Sequence, residues 1–143
     1  MRSLDSLYAL AEKRDIPIYH FPLPTVESMS LMDEGGRCCI GMDMTLLDTA
    51  SAQRTHLAHE LGHCLTGSFY NRYAPQDLRA RHEVRADKWA VRKLIPRAAL
   101  DDAIALGCTE YYELADHFGV SEAFLKKAIC LYTYGNVAAE LYF

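Results

Sequence analysis

His59, Glu60 and His63 stand within five positions of one another in the run THLAHELGHCLTGSFY, residues 55–70. Their types and spacing fit metal chemistry. An α-helix turns about 100° per residue, so residues four apart differ by about 40° around the axis. His59 and His63 then point the same way, one turn apart, and two imidazoles so placed can grip one zinc ion. Glu60 is turned away from that ion but can reach a water beside it. That is the place of a general base for hydrolysis. Three fixed positions arise by accident in roughly one chain in fifty of this length, so the pentapeptide alone leaves open a half-buried helix with hydrogen-bonded histidines.

A third ligand separates the two readings. A histidine three residues past a glycine would need glycine at position 66 and histidine at position 69. The chain has Thr66 and Phe69 there. The other source is a carboxylate on a following helix, and RHEVRADKWAVRKLIP offers Glu83 with Asp87 one turn later. Glu83 is the candidate ligand, and Asp87 the candidate acceptor for the free ring N–H of a ligand histidine. Ala86 and Ala90 are small enough to let the two helices meet closely. His56 faces roughly the same side as His59, but a fourth ligand would close the open position a catalytic zinc needs, so His56 is expected at the rim. His82 points about 100° away from Glu83 and is expected at the surface; it, Tyr70 and Tyr73 are comparable candidates for stabilising an oxyanion.

Several elements must position these residues. Leu4, Leu7, Tyr8 and Ala11 share one face of a helix expected over residues 3–14. Residues 17–21, 26–32 and 37–42 read as strands, with turn chemistry at DEGG. Together they suggest a small antiparallel sheet in which the 36–42 strand is an edge that an extended peptide could join antiparallel. Helices follow over residues 50–66, with Gly67 past the end, then 77–95, 97–106, 110–118 and 121–132. The class is α+β, a small sheet on a helical bundle.

At 143 residues the chain is long enough for one domain with its own core. Its net charge of −4 shows no basic excess for nucleic acid. MRSLDSLYALAEKRDI is amphipathic rather than an apolar leader, and no stretch reaches a membrane span, which points to the cytoplasm. The five cysteines, Cys38, Cys39, Cys64, Cys108 and Cys130, have no CxxC spacing and are expected to be free thiols.

Taken together, these residues resemble the ImmA/IrrE family of small zinc metallopeptidases. LAHELGH is similar to that family's active-site helix, EVRADKWAVRKLIP to its following helix with Glu83 at the ligand position, and ELADHFGVSEAFLKKAI to its C-terminal helical segment. The resemblance covers nearly the whole chain, so residues 1–143 are expected to form a single metallopeptidase domain. It implies a zincin-like fold of the gluzincin type, one zinc per chain, and regulatory proteolysis of a helix-turn-helix transcriptional repressor. It also implies a form that starts directly at the peptidase, without an N-terminal DNA-binding domain. Two other classes compete. One is a zinc-binding protein that does not cut. The other is a DNA- or protein-binding module, because LADHFGVSEAFLKKAI has helix-turn-helix grammar, although its apolar positions describe packing more simply.

Overall fold

The structure, a computed structural model, describes residues 3–69 and 75–143. Helix α1 (Ser3–Lys13) buries Leu7 and Ala11, as its apolar stripe requires. Three strands follow: β1 (Ile18–His20), β2 (Ser28–Met32) and β3 (Cys38–Met42). Among the described residues five helices follow: α2 (Ala50–Thr66), α3 (Gln76–Leu94), α4 (Arg97–Ala105), α5 (Tyr111–Phe118) and α6 (Glu122–Tyr134). A final 3₁₀ turn covers Ala139–Leu141. The α+β class expected from the sequence is the one observed.

The sheet differs from expectation. Its order is β1-β3-β2, and β1 runs parallel to β3 while β2 runs antiparallel. It is therefore mixed rather than antiparallel. Residues 21–27, FPLPTVE, contain two prolines and are too long for a tight hairpin. They reverse the chain but carry it to the far edge of the sheet, leaving the place beside β1 to β3. Asp43 anchors this crossing, accepting from the Leu23 N–H at 2.9 Å and from the Thr45 N–H at 3.0 Å.

The same topology puts β3 in the middle. Ile40 and Met42 are fully buried in the core with Leu57 and Leu61 of α2, and Phe21 lies against Gly41 on the opposite face. A substrate strand cannot add to β3, so the edge expected at residues 36–42 is corrected: the edge beside α2 is β2. The β2–β3 register fixes which groups are free there. Asp43 N–H bonds to the Glu27 carbonyl at 2.9 Å and Asp33 N–H to the Arg37 carbonyl at 2.8 Å. Odd-numbered residues of β2 thus bond inward to β3. Ser28, Ser30 and Met32 turn their backbone N–H and C=O groups to the open side.

The cysteines also depart from expectation. Cys38 shares the inward face of β3 with Ile40 and Met42, and meets Cys64 of α2 in a disulfide with Cα atoms 5.7 Å apart. Cys39, Cys108 and Cys130 are free.

Local chemistry sets the helix ends. Thr49 caps α2 by accepting from the Ala52 N–H at 3.0 Å, and Gly67 closes it in a left-handed conformation with φ 65°. Pro75 and Pro96 each stand immediately before a helix, α3 and α4. Ser121 caps α6 through the Phe124 N–H at 3.1 Å. Leu114, Ala115, Val120, Phe124, Leu125 and Ala128 of the α5–α6 hairpin point into the core. No described helix is long and apolar enough to cross a membrane.

Candidate metal centre

Helices α2 and α3 pack closely because Gly62 and Ala86 face each other, both buried. Ala90, one turn further along α3, is also fully buried. This contact brings Glu83 of α3 to the two histidines of α2. His59 Nε2 lies 2.8 Å from Glu83 Oε2, His63 Nε2 lies 3.1 Å from Glu83 Oε1, and the two Nε2 atoms are 3.2 Å apart. The three residues form a group able to hold a metal ion, with one ligand atom from each lying within 4.8 Å of the others.

The donor set fits such an ion. Two neutral imidazoles and one carboxylate are ligands that divalent zinc takes in open, three-residue sites. Ligand atoms about 2.0–2.1 Å from a tetrahedral ion are about 3.3 Å from one another, and the contacts here are on that scale, with the two histidines meeting different oxygens of Glu83.

Both imidazoles are fixed from behind. The Nδ1–H of His59 donates to Asp87 Oδ1 at 2.7 Å, and the Nδ1–H of His63 donates to the Ser68 carbonyl at 2.5 Å. Each ring therefore turns Nε2 toward the centre. Asp87 is held in turn by Lys127 of α6, whose Nζ lies 3.2 Å from Oδ2. Burial would raise the Asp87 pKa, but its bond to His59 and the Lys127 charge lower it, so Asp87 stays an ionised acceptor. Burial works against a charged His59. Its hydrogen bonds to Asp87 and Glu83, with the charges of Asp87 and Glu60, overcome that and push its pKa up to about 10. For His63 burial again pulls down, and the bonds to Glu83 and Ser68 prevail, raising it.

Glu60 is buried beside this triad and accepts a hydrogen bond from Ser28 Oγ at 2.7 Å. Two adjoining hollows share Val26, Ser28, His59, Glu60 and Glu83, so the centre opens into a cleft between β2 and the helices. His56 sits at the rim of this cleft. Its Nδ1 is 2.9 Å from Ser28 Oγ and its Nε2 is 3.1 Å from Glu27 Oε2. His82 is half-buried on α3 and lines neither hollow. Tyr70 and Tyr73 lie outside the described residues.

Two partners were not foreseen from the sequence. The Ser68 carbonyl reaches His63 only because the Gly67 turn folds the chain back, with Ser68 N–H bonding to the His63 carbonyl at 3.0 Å. The glycine was the available signal. Ser28 had no signal of its own, since a serine in a strand 32 positions away from Glu60 carries no pattern.

A family model described as the IrrE N-terminal-like domain, Peptidase_M78, matches residues 11–129. No curated protein matches the chain. The matched stretch takes in both helices that carry the triad, and the chain belongs to this peptidase family.

Proposed function

We propose that the protein is a zinc-dependent endopeptidase with one zinc per chain, held by His59, His63 and Glu83, with Asp87 orienting His59 and Glu60 as general base. The observation that carries this reading is the convergence of three ligand atoms beside a buried carboxylate, in a cleft bordered by a strand edge that is unpaired among the described residues. Zinc held there would supply Lewis acidity, polarising a peptide carbonyl and lowering the pKa of water to about 7. Glu60 takes the proton of the attacking water and returns it to the departing amine. The outward backbone groups of Ser28, Ser30 and Met32 receive the substrate as an added strand. An extended or locally unfolded segment meets that requirement and a helix does not, because a helix has no unpaired backbone edge.

The resemblance to ImmA/IrrE proteins supports a helix-turn-helix transcriptional repressor as the substrate, cut in the cytoplasm as a regulatory step. A direct nucleic-acid role for the α5–α6 hairpin is disfavoured by its cations. Lys127 pairs with Asp87, and Lys126 Nζ lies 5.6 Å from the ring centroids of both Tyr111 and Phe143.

The test is a paired assay of zinc content and cleavage of a co-expressed repressor. Glu60→Gln is expected to keep zinc and lose about 10²–10⁴-fold in rate, the usual contribution of a general base. Glu83→Gln is expected to bind zinc more weakly, with activity partly restored by excess metal. A Glu60→Gln protein that cleaves at the wild-type rate would refute the peptidase mechanism and favour a zinc-binding protein that does not cut.

A further inference from the structure

A carboxylate that takes a proton from water must hold one oxygen toward that water. Glu60 is only 7% exposed, and its one side-chain hydrogen bond among the described residues comes from Ser28 Oγ to Oε2, at 2.7 Å. A carboxylate can only accept, so the Ser28 hydroxyl proton is committed to Glu60. With that proton on Glu60, Ser28 Oγ is left to accept, and the His56 tautomer with its proton on Nδ1, 2.9 Å away, supplies the donor, while Glu27 Oε2 lies 3.1 Å from the other ring nitrogen. The hydroxyl has one orientation left, and Oε1 is the Glu60 oxygen that remains for water.

Ser28 has a second role by position. It belongs to β2, and the β2–β3 register turns its own N–H and C=O to the open edge. One residue therefore presents the backbone groups that an incoming strand would pair with and the hydroxyl that holds the base.

We propose that Ser28 is a positioning residue that couples occupancy of the β2 edge to alignment of Glu60. This rests on the reading of Glu60 as general base. A peptide paired at residue 28 restrains that stretch of β2, and the restrained hydroxyl narrows the orientations of the Glu60 carboxylate. Binding along the edge is thus converted into a higher rate of proton transfer, because small misplacements of a catalytic group cost large factors in rate. A Ser28 that merely satisfied a buried carboxylate would affect stability and leave this coupling absent.

The experiment combines kinetics with a readout that needs no activity. Zinc-loaded wild type, Ser28→Ala, Ser28→Thr and Glu60→Gln are compared on a long peptide that covers the β2 edge and on a truncated one that does not. Ser28→Ala is expected to lose about 10- to 100-fold in kcat on the long peptide, with zinc content and KM little changed. Ser28→Thr, which keeps the hydroxyl, is expected to recover most of it. In wild type, truncation should lower kcat as well as raise KM. In Ser28→Ala it should change KM alone.

In parallel, side-chain carboxyl carbon resonances are recorded in metal-free and zinc-loaded protein, the Glu60 signal being the one absent from Glu60→Gln. Ser28→Ala is expected to move it and Ser28→Thr to leave it. An unmoved Glu60 signal in Ser28→Ala overturns the proposal whatever the rates are. So does a Ser28→Ala kcat within twofold of wild type. A Glu60→Gln protein as active as wild type instead overturns the general-base reading, and the proposal with it. In that case a Glu60 signal that still moves shows the Ser28 contact to be structural.

Discussion

Gly62 lies so close to Ala86 that a Cβ on Gly62 would stand 2.6 Å from the Ala86 carbonyl oxygen. The obstruction is backbone, which cannot swing aside as a side chain would. The α2–α3 separation that lets Glu83 reach His59 and His63 therefore depends on this glycine. Gly62→Ala is expected to push α3 outward, destabilising the fold by about 1–3 kcal/mol, the usual cost of overpacking. Zinc affinity should fall as well, because the Glu83 arm is displaced. Urea denaturation and a zinc titration check both. An unchanged midpoint with unchanged affinity would show that the helices part without cost.

A second prediction concerns protons. His59 has its pKa raised from 6.5 to about 10 by Asp87, Glu83 and Glu60 acting against its burial. Without an ion it carries a proton at neutral pH, and its Nε2 cannot bind metal until that proton leaves. Zinc binding at pH 7 is therefore expected to release at least one proton per ion. Apparent affinity should rise about tenfold per pH unit for each proton released, at pH values below the raised pKa. The stability of the chelated protein has the opposite sign. A raised folded-state pKa gives a contribution fully present below 6.5 and lost as pH rises through about 10. Calorimetric titration in buffers of different ionisation enthalpy measures the release, and no released proton would mean that His59 is neutral in the free protein.

How far the sequence carried the reading depends on the range of the interaction. The grouping of His59, His63 and Glu83 rests on helical spacing within α2, on one following helix and on small residues between them, all of which leave a periodic trace. Asp87 sits one turn beyond Glu83, so its bond to His59 follows from the same geometry. The strand order is different. The places of β1, β2 and β3 are visible in the pattern to within two residues at each end, but whether residues 21–27 set β2 beside β1 or carry it to the far edge depends on tertiary packing that periodicity does not encode. The Cys38–Cys64 pairing was hidden for the same reason, since a separation of 26 residues has no motif. Ser28, Glu27 and His56 form their chain only because β2 lies along α2, and no one of them stands out alone.

The disulfide yields a third prediction. Cys38 and Cys64 close a loop with a sequence separation of 26. By chain entropy a loop of that size stabilises the fold by about 3–4 kcal/mol, and measured values are often lower. Alkylation of unfolded protein without reductant should label three of the five cysteines, Cys39, Cys108 and Cys130, and with reductant all five. Reduction should lower the unfolding midpoint. Five labels without reductant would overturn the pairing.

The last prediction separates the β2 edge from the β2–β3 ladder. Ser30 turns its N–H to the open side, so Ser30→Pro removes a donor that β3 does not use. Proline is tolerated on edge strands for that reason. Leu31 bonds inward opposite Cys39, so Leu31→Pro breaks the ladder itself. If substrate adds to β2, Ser30→Pro is expected to keep zinc content and most of its stability. It should lose about tenfold or more in kcat/KM on an extended peptide, a loss worth about 1.4 kcal/mol, the scale of one main-chain hydrogen bond. Leu31→Pro should instead lower stability sharply, and its activity should follow the folded fraction. Peptide kinetics and urea denaturation of the two variants check this. A Ser30→Pro protein with wild-type kcat/KM on long peptides would place the substrate elsewhere in the cleft.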